Sequence, residues 1–245
     1  MRTAILVLLG AGLAGPPAAS PAIAADMDGM AAHMTLTPVQ PRRSGDVERA
    51  AAIADAVRAA IEPYRDYHRA IADGFKPGHL EVPQKEYHFS SRANFIAALR
   101  GFDVKRPTSL LYERTADGGF RLIGAMYTDR RDASDAELDQ RVPLSMARWH
   151  EHIDLCLPPE GAGLKGMGGP HPAFGPRGSI STAAACSAVG GRFIAHLYGW
   201  MVHVYPYEHD LADVYALPRN MADDMAGGAA ASDAGRGAMG GMKMP

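Results

Sequence analysis

The chain has 245 residues, with 25 Lys and Arg against 27 Asp and Glu, a formal net charge of −2. That near-balance argues against nucleic acid and against an anionic membrane surface as partners. Even without its first two dozen residues, the length is enough for one domain with a real core.

The N-terminus reads as an export signal. Met1-Arg2-Thr3 is a short positive start, Ala4 to Leu13 is an apolar run, and Ala22-Ile23-Ala24 fits a small-x-small cleavage site. A signal over residues 1–24 is therefore expected, with Ala25 as the first mature residue. The apolar run is well short of the ~20 residues a spanning helix needs, which argues against an uncleaved anchor. No later segment is apolar enough to cross a membrane, so a periplasmic or secreted location is expected.

Residues 25–45 contain Met27, Met30, His33 and Met34, and Pro38, Pro41 and Gly45 interrupt any regular element. This segment is expected to be unstructured. Residues 46–218 form the expected single domain. Val47, Ala51, Ala54, Val57, Ile61, Tyr64, His68 and Ile71 recur at helical spacing behind Asp46, a candidate N-cap. Pro63 should kink or split this helix and Gly74 should end it. On this stripe His68 is expected to pack in the core. A second helix is expected over residues 91–100, between a Ser90 or Ser91 cap and Gly101.

Strand patterns follow. Residues 109–114 and 120–128 flank Ala116-Asp117-Gly118-Gly119, a hairpin signal. In residues 147–155, Trp149, Ile153 and Leu155 alternate with His150, His152 and Asp154. Residues 158–178 are rich in Gly and Pro and predict a long loop. A short helix over 181–188 and a strand over 193–205 complete the domain. The expected fold is α+β: an antiparallel sheet of four or more strands packed with N-terminal helices. The tail, 219–245, is rich in Gly, Ala and Met and has no apolar period.

Cys156 and Cys186 are the two cysteines. In an oxidising compartment they read most simply as one disulfide, worth roughly 3–4 kcal/mol on the chain-entropy model. The competing reading is thiolate metal binding, which their spacing, far from CxxC, does not favour.

His150-Glu151-His152 is the sharpest chemical feature. Residues two apart on a strand share a face, so two imidazoles there could hold one metal ion. Glu151 would face the other way. His203 on the last strand could add a third nitrogen and His88 a fourth, with Glu86 as an oxygen alternative. Against this, an HxH pair can equally be the solvated face of an edge strand, and single histidines are more often hydrogen-bonded structural residues. His196 has the opposite strand parity to His203, so both cannot face one site. The methionines of both ends, including Met221, Met225, Met239, Met242 and Met244, are soft ligands that select Cu(I), or simply compositional drift. Copper is thus the favoured metal, with zinc or iron possible. No GxSxG elbow, P-loop, GxGxxG or CxxCH motif is present.

Several segments occur in a distinctive order. They are Tyr64-Arg65-Asp66 with Ala72-Asp73-Gly74-Phe75, Tyr87-His88-Phe89 followed by Asn94, and Arg106-Pro107 leading to Leu110-Leu111-Tyr112-Glu113. Leu122-Ile123-Gly124-Ala125-Met126-Tyr127 and the late His203 follow. In this the chain resembles an uncharacterised family of exported bacterial proteins, from which it departs after Val204 and in the segment from Trp149 to Cys156. The resemblance implies the domain boundaries and favours His88 and His203 as site residues; it implies no activity.

The leading expectation is a periplasmic metal-binding protein, with copper as the favoured metal, using His150, His152, His203 and His88 for storage, delivery or tolerance. A mononuclear metalloenzyme (oxidoreductase or hydrolase) and a metal-free interaction module of the envelope are the alternatives. The partner is then a metal ion or small molecule; the sequence leaves the oligomeric state open.

Overall fold

The computed structural model describes residues 33–168 and 172–219. The export signal, Met27, Met30 and the methionines of the tail lie outside the described residues. An antiparallel seven-stranded sheet forms the scaffold, in the order β1-β6-β7-β5-β4-β3-β2. Its strands are β1 (Met34–Leu36), β2 (Lys76–Pro77), β3 (Tyr87–Ser90), β4 (Ser109–Arg114), β5 (Phe120–Thr128), β6 (His150–Leu157) and β7 (Arg192–Val204). Among the described residues six helices accompany it: α1 (Asp46–Ile61), α2 (Tyr67–Ala72), α3 (Arg92–Ala98), α4 (Asp135–Arg141), α5 (Ala183–Ala188) and α6 (Leu211–Val214). Among the described residues no helix is long and apolar enough to cross a membrane.

Pro63 divides the first helical stretch as its chemistry requires. α1 ends at Ile61, a 3-10 turn covers Glu62–Arg65, and α2 follows. α1 buries Ala50, Ala54, Val57 and Ile61 against the sheet. Three expectations are corrected here. Gly45, at φ +85°, holds the cap position, while Asp46 opens the helix and accepts from Arg43 N (2.9 Å) and Ser145 Oγ (2.6 Å). Ile71 is exposed. His68 is not in the core: its exposed ring stacks on Tyr67 and pairs with Asp66. The stripe fails there because the break at Pro63 resets the helical phase.

The segment expected to be unstructured carries β1, and the domain therefore begins at or before residue 33. Three residues cannot announce a strand by periodicity; β1 exists because β6 offers it an edge. Met34, Thr35 and Leu36 pair with His152, Glu151 and His150. Hydrogen bonds Thr37 N to Trp149 O (2.9 Å) and Ile153 N to His33 O (3.0 Å) close both ends. The His33 ring reaches the carbonyl of Gly178 at 2.5 Å, which ties the long loop to the same edge.

The core lies between α1, α2, α6 and one face of the sheet, with Phe89, Leu110, Tyr112, Leu122, Trp149, Val202 and Val204 at its centre. The opposite face buries a smaller group, Leu111, Ile123, Met126, Met201 and Tyr205. Two irregularities bend the sheet. One shifts the β4–β5 register between Leu111 and Tyr112. The other sets three residues of β6, His150 to His152, against five of β7, Met201 to Leu197. Such bulges increase twist and curvature. β5 and β7 approach closely at Gly124, where a Cβ would stand 2.4 Å from Val204 O. Cys156 and Cys186 form the disulfide, joining β6 to α5 with Cα atoms 5.5 Å apart. Gly191 leaves room for it, since a Cβ there would lie 2.6 Å from Cys156 Sγ.

Candidate metal centre

Strand alternation decides which side chains meet. On β3, Tyr87 and Phe89 enter the helix-covered core, so His88 turns to the opposite face. On β7, Val202 and Val204 do the same and release His203; just before β6, Trp149 does so and releases His150 and His152. His203 pairs with Met126, His150 with Met201 and His152 with Met34. One face thus carries four histidines and three methionines.

β3 and β7 are separated by β4 and β5, about 14 Å at ordinary strand spacing. Yet the ring centroids of His88 and His203 are 5.3 Å apart. The sheet therefore curls toward this face. The rings continue in a chain: His203 to His150 at 5.3 Å and His150 to His152 at 5.6 Å.

Glu86, just before β3 and in phase with His88, completes a tight group. One donor atom each from Glu86, His88 and His203 all lie within 4.8 Å of one another. His203 Nδ1 is 3.1 Å and His88 Nε2 3.6 Å from Glu86 Oε1. Ligand atoms about 2.0–2.1 Å from a tetrahedral ion sit roughly 3.3 Å from one another, so this spacing suits a shared cation. Tyr205 donates its hydroxyl to Glu86 Oε2 at 2.5 Å, and its oxygen lies 3.1 Å from His203 Nδ1. Glu86 is fully buried and His203 nearly so.

The electrostatics keep Glu86 and the imidazoles of His88, His150 and His152 in ligand form. Burial works to raise the Glu86 pKa, but the charge and hydrogen bond of His203, with His88 and the Tyr205 hydroxyl, outweigh it and hold it at about 2. Burial lowers His88 to about 4, against the pull of Glu86 and with the repulsion of neighbouring rings. Burial also lowers His152 to about 4, opposed by the His33 backbone. His150 falls well below its ordinary value, through burial and then the other rings. At neutral pH Glu86 is anionic and the imidazoles of His88, His150 and His152 carry free lone pairs, the forms a metal requires. Burial and Glu86 raise the Tyr205 pKa, so its hydroxyl stays protonated and serves as a donor.

The expected set of His150, His152, His203 and His88 is therefore found on one face, but the group with mutually close donors is Glu86, His88 and His203. Sequence reading placed Glu86 only as an alternative ligand, although its two-residue spacing from His88 gives both one phase. Nothing in the sequence ties Tyr205 to the site, because its contact to Glu86 spans 119 residues. Met126 and Met201 carried no signal distinct from core packing. Tyr87, Tyr112 and Tyr127 belong to the helix-covered core. His196 lies on the opposite face, where its Nδ1 stands 3.0 Å from Glu151 Oε1. His209 is exposed, and His171 lies outside the described residues. Comparison of the chain with family models, with curated proteins and with solved structures finds no match.

Proposed function

We propose that this is an exported metal-binding protein that holds its ion at Glu86, His88 and His203 and serves metal storage, delivery or tolerance, with copper as the favoured metal. The observation that carries the reading is the convergence of a buried carboxylate and two imidazoles from distant strands within 4.8 Å. Burying such groups costs free energy that the apolar core does not return, and a cation would offset it. Export is supported by the Met1 to Ala24 pattern, by the resemblance to an exported family and by the disulfide, a bond typical of oxidising compartments. Copper is supported by the imidazole-rich donor set and the thioethers beside it.

The test is metal analysis of the full chain purified from the periplasm of an expressing host, followed by unfolding with and without added copper or zinc. Free ion at a hundred times its dissociation constant should raise stability by about 2.7 kcal/mol. Glu86→Gln and His88→Gln should each abolish most of that gain. A metal-free product that gains no stability from either ion overturns the reading.

A further inference from the structure

We propose that His150 and His152 form a second metal subsite, selective for copper(I), beside the Glu86, His88 and His203 set. It deepens the metal-binding reading and rests on it for physiological meaning, but its donor atoms are its own.

The first observation is a pair of orphaned nitrogens. Nδ1 of His150 and Nδ1 of His152 are buried, and neither of these atoms has a hydrogen-bond partner, although the His152 ring also feels the His33 backbone. A buried polar atom left unsatisfied costs about 1–3 kcal/mol, and native folds keep such atoms for a reason, an ion among them. Here two occur on one strand, on one face, with ring centroids 5.6 Å apart. Neither belongs to the close donor group of Glu86, His88 and His203.

The second observation is what stands across from them. Met34 is the cross-strand partner of His152 and Met201 that of His150. Directly opposed residues share a face with Cβ atoms about 4.5–5.5 Å apart, within reach of a long thioether. Both methionines are buried, at 7% and 3% exposure. Two imidazoles with one or two thioethers make a soft donor set of the kind that selects Cu(I) over zinc, magnesium or calcium.

The third observation is charge. Glu151, the nearest carboxylate in sequence, faces away and is engaged by His196. A donor set of imidazole and thioether alone is neutral, so a monovalent ion leaves one net charge buried where a divalent ion leaves two. The neighbouring set contains the anionic Glu86 and suits a divalent ion. Two adjacent donor sets thus differ in both charge and softness, which sorts the two kinds of ion between them.

The test loads the full chain with Cu(I) under reducing conditions, with Zn(II), and with both, and counts ions by native mass spectrometry. Cu(I) affinity is measured by competition with a chromogenic Cu(I) chelator. The wild type should hold one ion of each kind. His150→Gln with His152→Gln should weaken Cu(I) about 100-fold and leave zinc within about threefold; Glu86→Gln with His88→Gln should do the reverse. Met34→Leu, which keeps an apolar side chain on β1, should weaken Cu(I) about tenfold and spare zinc. A single ion lost in both double variants would mean one shared site and would overturn the proposal. Unchanged Cu(I) binding in His150→Gln with His152→Gln would overturn it as well. Neither copper(II) nor zinc depending on Glu86 and His88, while Cu(I) still depends on His150 and His152, would overturn the primary site alone.

Discussion

The two faces of the sheet are made by the same strands, yet they answer to different physics. Toward the helices, Phe89, Tyr112, Trp149, Val202 and Val204 fill an apolar core in which packing dominates, although Trp149 Nε1 is buried there without a hydrogen-bond partner. On the other side, residues one step along the same strands are His88, His150 and His203, joined by Glu86. Every group there loses hydration, and only some recover it in hydrogen bonds. One face explains why the chain folds; the other is an expense the fold carries, and the proposed ion would offset it.

Substitutions should separate the two. The largest effect belongs to the helix-covered side: Trp149→Ala should cost about 3–5 kcal/mol in chemical denaturation, whatever ions are present. A loss that added metal repairs would blur the contrast. An intermediate effect is expected for Tyr205→Phe, which removes a hydrogen bond to a buried carboxylate. Metal-free stability should fall by about 1.5–3 kcal/mol. Metal affinity should fall some tenfold or more although no ligand is touched. Titrating this variant with zinc checks whether Tyr205 orients Glu86. The smallest effect is predicted for His150→Leu. Its Nδ1 has no hydrogen bond to lose and costs free energy while unpaired, so metal-free stability should rise by about 1 kcal/mol, or at worst fall by about 0.5 kcal/mol. A larger loss would show that His150 is structural after all and would break the comparison.

Much of the fold was legible because it rests on local periodicity. The α1 stripe, the Pro63 break, the hairpin around Asp117-Gly118 and the alternation of Trp149 with His150 all follow from spacing within a dozen residues. β1 was illegible because its three residues are a strand only by virtue of β6. α4 was missed although Ser134 and Glu137 form a complete capping box; the helix is only seven residues long and shows no apolar stripe. At the site, the parity of His150, His152 and His203 could be read along each strand. That β3 would meet β7 across two intervening strands could not. That meeting depends on the curl of the sheet, produced by bulges between Leu111 and Tyr112 and between His150 and His152.

The same curl has a temporal consequence. Glu86 and His88 leave the ribosome long before His203 and Tyr205, whose contact with Glu86 closes a separation of 119 residues. No hairpin or half-molecule contains the donor set, so an unfinished or unfolded chain has nothing with which to capture an ion tightly. Under the proposed metal-binding role, uptake would wait until β7 has taken its place between β5 and β6, and a loaded molecule would certify that its own folding is complete.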